Sequence, residues 1–433
     1  MVPHLSRRRF LAVSTAAAAS AAVALPVGRA RAASEVSWLM HPVHWKQMGD
    51  GELLQKLTKE TGLTVKPTQM PFPQYREKLT ILLRQGSADF DIVGISNSWW
   101  DGSVNRYLQP LDAFMAKKPL ENPKDIVGDY LYTVSGQTYA VPYRIGPMVL
   151  HYRKDLYEKY QLKVPRTFDE YRHNAKAIQD GEKGAIHGAF VMGEQSFFSL
   201  WDWTSYLFSF GGAFLDGPDP IKAKVIVNAK QGAEAMKYFA NLNLDRLTPP
   251  GTLTATWNTF ITLMQQGKLA QGINWSVYIE PIASPDKSTV ADKVAWAEAP
   301  YAVGSGLTVG RTGTVGWGLF IPTASKNQAA AWDVLRWITK QENDLYMGVH
   351  GGGPFRASTL KSKEYAATAK ATDVILKAIV SGLPVWNPLG TLPHASEVID
   401  KSVVEINGAL AGKVSPQDAV NNMARHIKEI ALA

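Results

Sequence analysis

The feature that most restricts what this chain can fold into is a strand–helix alternation between residues 35 and 95. Residues 35–40 read as a strand and residues 51–61 as a helix closed by Gly62. Residues 63–70 make a second strand, residues 74–85 a second helix ending at Gly86, and residues 89–95 a third strand. In a β-α-β-α-β order each helix carries the chain back over the sheet, so the strands run parallel and ligands meet their carboxyl ends. The pattern predicts an α/β protein with a mixed, mostly parallel sheet flanked by helices. Near residues 138–152 it changes. Two short β-like runs meet around Pro142-Tyr143-Arg144-Ile145-Gly146-Pro147 with no helix between them, which reads as a crossover between lobes. A similar switch at residues 300–304 and the run Gly351-Gly352-Gly353 supply two more. A mature chain of about 400 residues exceeds one ordinary core, so two lobes are expected. The first takes residues 33–144 and 301–349, and the second takes residues 145–300 and 350–433.

Residues 1–32 are set aside as a signal peptide. Arg7, Arg8 and Arg9 precede an Ala-rich apolar stretch over residues 11–27, and Ala30-Arg31-Ala32 offers the small-x-small cleavage pattern. That stretch falls short of the roughly 20 strongly apolar residues of a spanning helix. Ser6-Arg7-Arg8-Arg9-Phe10-Leu11 resembles the twin-arginine export motif, which implies export in the folded state. No Cys follows, so lipidation is not expected; the mature chain begins near Ala33, free in the periplasm. Removing Arg7, Arg8, Arg9, Arg29 and Arg31 takes the formal charge from +8 to +3, too little to suggest a nucleic-acid or anionic-membrane partner. The absence of Cys rules out disulfides, iron–sulfur clusters and thiolate metal sites, and no cofactor is expected.

Later signals are local. Thr167-Phe168-Asp169-Glu170 is a capping box, Gly211-Gly212 closes a helix carrying Trp201 and Trp203, and residues 315–321 form a strand ended by Pro322. From Thr359 the chain is nearly all helix, with a start at Ser415-Pro416-Gln417-Asp418. Several of these segments resemble family-1 extracellular solute-binding proteins in order and spacing. They are Ala88-Asp89-Phe90-Asp91-Ile92-Val93 with Leu108-Gln109-Pro110-Leu111-Asp112, and Tyr139-Ala140-Val141-Pro142-Tyr143 with Leu150-His151-Tyr152-Arg153-Lys154-Asp155-Leu156. Gly267-Lys268-Leu269-Ala270, Gly272-Ile273-Asn274-Trp275, Gly316-Trp317-Gly318-Leu319-Phe320-Ile321-Pro322 and Gly352-Gly353-Pro354-Phe355-Arg356 complete the series. The resemblance implies two α/β lobes hinged by three crossovers, closing on a carbohydrate or similar small solute. It also implies a monomer that feeds the permease of an ABC importer.

A sugar presents hydroxyl edges and apolar C–H faces, so its site needs flat aromatic rings beside amides, carboxylates and arginines. His44-Trp45, past the first strand, and Asn97, Trp99 and Trp100, past the third, supply both kinds of group. Trp201, Trp275, Trp317 and Trp386 are further candidate platforms, and Arg144 and Arg356 are candidate ligand clamps or structural ion-pair partners. Trp332 and Trp337, inside an Ala-rich helix over residues 327–340, are expected in the core. Trp275 is expected at a cleft, opposed by Trp99 or Trp100 and Asn97.

Enzymatic motifs are missing. Gly304-x-Gly306 lacks the third glycine of a dinucleotide loop, and there is no Walker loop, Gly-x-Ser-x-Gly elbow or His-Glu-x-x-His. His41 and His44 sit three apart in a Pro-containing segment expected to be a loop, which does not make a metal site. Two other classes stay open. A secreted carbohydrate-active enzyme would need two converging carboxylates, for which Asp101, Asp202 and Glu280 are the aromatic-adjacent candidates. A receptor for an anionic or other non-sugar solute would use Arg144 and Arg356 as its clamp.

Overall fold

In the computed structural model of the chain, residues 35–71, 74–100, 102–217, 222–384 and 389–432 are described. The expected signal peptide, Asp101 and Trp386 lie outside the described residues. Ten strands are found there: β1 (Glu35–Met40), β2 (Thr64–Gln69), β3 (Ile92–Ser96), β4 (Thr133–Val134), β5 (Gln137–Thr138), β6 (Ala140–Arg153), β7 (Gln271–Trp275), β8 (Val294–Ala297), β9 (Gly313–Phe320) and β10 (Leu383–Pro384). The main sheet runs β2-β1-β3-β9-β6-β7, with β8 on β6 and β10 on β9, and β4 and β5 form a separate hairpin.

The opening alternation folds as its pattern predicts. β1 pairs in parallel with β2 and β3, and the helices Glu52–Thr61 and Gln74–Arg84 connect them. Gly62 ends the first helix with φ 73°, a conformation that L side chains adopt only under strain. Beyond this unit the sheet turns antiparallel, through β3 with β9, β9 with β6, and β6 with β7 and β8. The fold is therefore α/β with a mixed sheet. Among the described residues no helix is long and apolar enough to cross a membrane.

Two apolar cores share this sheet. One gathers Trp38, Leu57, Tyr75, Ile95, Leu319, Trp332, Trp337 and Ile379; the other gathers Phe168, Phe190, Trp203, Phe239, Phe260, Ile273 and Ile406. The segment around Pro142–Pro147, expected as two short runs, is one 14-residue strand. β6 pairs with β9 from Ala140↔Phe320 to Pro147↔Thr314, then with β7 and β8 from Met148 to Arg153. It thus passes from the first core to the second without leaving the sheet. The register shifts between Pro142 and Arg144, where a bulge absorbs the backbone N–H that proline lacks.

The other two passages fall later than the sequence suggests. Tyr301 and Ala302 hydrogen-bond to Arg166 and Ser209 of the second lobe, Val315 still packs against the second core, and the chain joins the first core at Trp317. Phe355, Leu360, Tyr365 and Ile375 pack in the first core, so the third passage comes at β10 and not at Gly351–Gly353. The glycines there serve a turn: Gly351 has φ 84°, and a Cβ on Gly353 would stand 2.2 Å from the Ile145 carbonyl.

Arg356 is built into the first core. Its side chain is fully buried, and Nε and Nη2 both donate to the Thr339 carbonyl at 2.8 and 2.6 Å. Nη2 also reaches the Glu121 carbonyl, and Nη1 reaches the Asn122 carbonyl and Asp125 Oδ2. With its donors engaged inside one lobe, Arg356 is a brace and has no donor left for a solute. Replacing it strands three carbonyls and leaves the Asp125 carboxylate without its counter-ion, so Arg356→Leu should lose about 3–5 kcal/mol in a urea unfolding experiment. A loss below about 1 kcal/mol would show that the brace is dispensable.

Candidate functional site

At the carboxyl ends of β1 and β3 a group of rings gathers around Trp317 of β9. The Pro-containing segment after β1 is a helix, Pro42–Gln47, and not a loop: His41 caps it by accepting the Val43 N–H on Nδ1 at 3.1 Å. His44, on this helix, is buried, and its Nδ1 meets the Tyr143 hydroxyl. The Trp317 ring is half-buried, 4.6 Å from His44, 6.0 Å from His41 and 5.9 Å from Trp99 between centroids. Burial holds His44 well below the usual histidine range, and the nearby positive charges of Arg144 and His41 lower it further, so it stays neutral.

The other first-lobe candidates divide. Asn97 has both ends of its carboxamide on β9, accepting the Gly316 N–H at 2.8 Å and donating to the Thr314 carbonyl at 2.9 Å, so it ties β3 to β9. Trp100 points into the first core among Tyr132, Tyr139 and Phe320. Trp45 is half-buried against the following turn; a Cβ on Gly51, whose φ is 102°, would stand 2.4 Å from its ring. Trp99 is 7% exposed, touches Tyr75 and Trp317, and its indole Nε1 has no acceptor among the described residues.

The second lobe offers a ring cluster at the end of β7. Trp275 is 4% exposed and packs edge-on against Trp201 at 4.8 Å and Tyr278 at 5.9 Å. Tyr278 stacks in turn on Trp257 at 5.7 Å. The indole Nε1 of Trp275 and the Nδ2 of Asn274 also lack acceptors among the described residues. Behind them buried His151 accepts the Trp296 indole N–H on Nδ1 at 3.0 Å, which leaves Nε2 to donate to the Asn274 carbonyl at 3.2 Å.

Between the two groups stands half-buried Arg144, opposite Trp317 on the β6–β9 ladder, with Nη1 on Gln47 Oε1 at 3.1 Å. Across the mouth, Arg76 Nη2 on the helix Gln74–Arg84 meets Ser396 Oγ of the second lobe at 2.7 Å. The structure thus brings His44, Trp99, Arg144 and Trp317 together, and separately Trp201 and Trp275. It puts Asn97, Trp100 and Arg356 to structural use. Sequence reasoning passed over His41 as a site residue, and over Tyr143, Trp257 and Tyr278. Tyr278, three residues past Trp275 in a segment read as a strand exit, carried a usable signal.

Comparison with protein families matches residues 45–344 to the bacterial extracellular solute-binding proteins. A mannitol-binding protein of Pseudomonas aeruginosa is 24% identical over 80% of this chain and 81% of its own. A probable amino-acid ABC transporter periplasmic-binding protein of Sinorhizobium fredii is 24% identical over 84% and 82%. Among solved structures, maltose-bound MalE3 of T. maritima superposes with a TM-score of 0.77 at 25% identity, covering 92% of this chain and 99% of that one. A solute-binding protein of Agrobacterium radiobacter in complex with ribitol gives 0.76 at 23% identity over 92% and 98%.

Burial pushes His151 down to about 4, whereas the unfolded chain titrates near 6.5. The unfolded state therefore binds more protons between these values. The stability is fully present above pH 6.5 and is lost as pH falls toward 4. Moving from pH 7 to pH 5 should remove about 2 kcal/mol through His151 alone, measured by urea unfolding. His151→Gln should flatten that part of the profile; an unchanged profile would mean His151 is not the proton acceptor.

Proposed function

We propose that this chain, which belongs to the bacterial extracellular solute-binding protein family, captures a carbohydrate or polyol between its two lobes and delivers it to the permease of an ABC importer. The observation that carries the reading is the meeting of indole faces with buried donors. Trp317 and Trp99 on one lobe, and Trp275 and Tyr278 on the other, offer rings to apolar C–H faces. The unpartnered N–H groups of Trp99 and Trp275 offer bonds to hydroxyl oxygens. Relatives named for mannitol and for erythritol or L-threitol, and a structural neighbour bound to D-mannitol, support the polyol class.

The family and its structural neighbours are binding proteins, and the same role without turnover is proposed here. Of the carboxylates weighed for catalysis, Asp202 is buried in the second core and Glu280 pairs with Lys287 on the surface, so they do not converge. The proposed location is the periplasm, reached by twin-arginine export as a folded monomer without a lipid anchor.

A thermal-shift screen over sugars, polyols and sugar acids tests the reading, because a solute bound only by the native state raises the melting temperature. Trp317→Ala should weaken binding of the best hit about tenfold or more by calorimetry while costing about 2 kcal/mol or less of stability. A screen with no hit, or unchanged affinity in Trp317→Ala, counts against the proposed site.

A further inference from the structure

Among the described residues Arg153 and Arg356 are buried, each with a carboxylate partner, and half-buried Arg144 is treated differently. Arg153 forms a two-pronged pair with Asp155, Nε to Oδ1 at 2.7 Å and Nη2 to Oδ2 at 2.6 Å. Arg356 has Asp125 and three carbonyls. Arg144 has one neutral partner, Gln47 Oε1, and no ion pair with any described acidic residue. Its other neighbours include Tyr143, Tyr278 and Tyr365, whose phenols burial keeps protonated and uncharged.

Its neighbours do not supply the missing anion. His41 and His44 face it, and both are pushed toward the neutral form, first by burial and then by Arg144 itself. The guanidinium is therefore the local charge at this position, opposite Trp317 on the β6–β9 ladder and in the part of β6 that passes from the first core to the second. Withdrawing a guanidinium from water without a counter-ion is unfavourable, and the fold supplies a carboxylate in the two other cases. The planar fork fits a carboxylate with two parallel bonds, and Nε and Nη2 have no protein acceptor among the described residues.

We propose that the solute carries a carboxylate and that Arg144 binds it. The ligand class is a small polyhydroxylated acid of the aldonic or uronic type, its carbon chain against Trp317 and Trp99 and its acid group on the guanidinium. The inference rests on the receptor reading above and narrows it.

Matched pairs test it by calorimetry: D-gluconate against D-glucitol, and D-glucuronate against D-glucose, with glucose 6-phosphate as a second anion. One acid should bind about tenfold or more tighter than its neutral partner. That excess should shrink as salt rises from about 20 to about 200 mM. Arg144→Gln should erase the difference between acid and neutral partner. Arg144→Lys, which keeps the charge and loses the fork, should retain part of it, and it provides the readout if Arg144→Gln does not fold. A neutral partner that binds as tightly as its acid overturns the inference and leaves the receptor reading standing. An acid preference that survives in Arg144→Gln, or a preference for the phosphate ester over both acids, also overturns it. If no acid, sugar or polyol binds, the receptor reading fails and takes this inference with it.

Discussion

Strand β6 pairs with β9 along its first half and with β7 and β8 along its second, so the two cores share a backbone hydrogen-bond ladder. The geometry of the cleft follows from that sharing. A ladder has a fixed register, and the register puts Arg144 opposite Trp317 and Met148 opposite Trp275. The residues between lobes are therefore positioned by backbone pairing. The glycines of β9 permit the close packing this needs: a Cβ on Gly316 or Gly318 would come within 2.8 Å of Leu131 or Ala140. The shift between Pro142 and Arg144 lies in the same ladder, where extended chain can bend at the cost of few contacts.

Charge follows the same logic. Asp91, at the start of β3, accepts bonds from Ser37, Ser325 and Asn327 and so clamps β1 and the chain after β9 to the first sheet. Arg356 braces the helix end at Thr339 against the segment 121–125. These groups hold each lobe rigid within itself. The groups facing the space between lobes include histidines held neutral, indole donors, the Arg144 guanidinium and, at the mouth, Arg76, an arrangement suited to a ligand that brings acceptors.

Elements with local codes were legible in the sequence. The opening β-α-β-α-β unit, the capping box at Thr167 and the Ser415 cap lie within a few residues of where pattern and capping chemistry put them. Trp332 and Trp337 are in the core as helical spacing implied. What was not legible depends on partners far along the chain. The two prolines of β6 read as a break, because a proline inside a central strand is tolerated only where a bulge meets it, and that bulge exists only against β9. Arg356 stayed open between clamp and structural partner because residues 121–125, which satisfy it, lie more than 200 positions away. Trp275 ends its strand as read, but its edge-on neighbour Trp201 comes from the helix Phe197–Ser209, which no feature near residue 275 announces.

In the proposed capture, the two lobes move about the β6–β9 ladder to enclose the solute. Because the sequence has no Cys, two labels can be placed without background. Ile81, on a first-lobe helix, is 44% exposed, and Val404, on a second-lobe helix, is 51% exposed. Spin labels on Ile81→Cys and Val404→Cys, read by pulsed dipolar spectroscopy, should give a longer and broader distance distribution without solute and a shorter, narrower one at saturation. The same distribution in both conditions would contradict hinge closure.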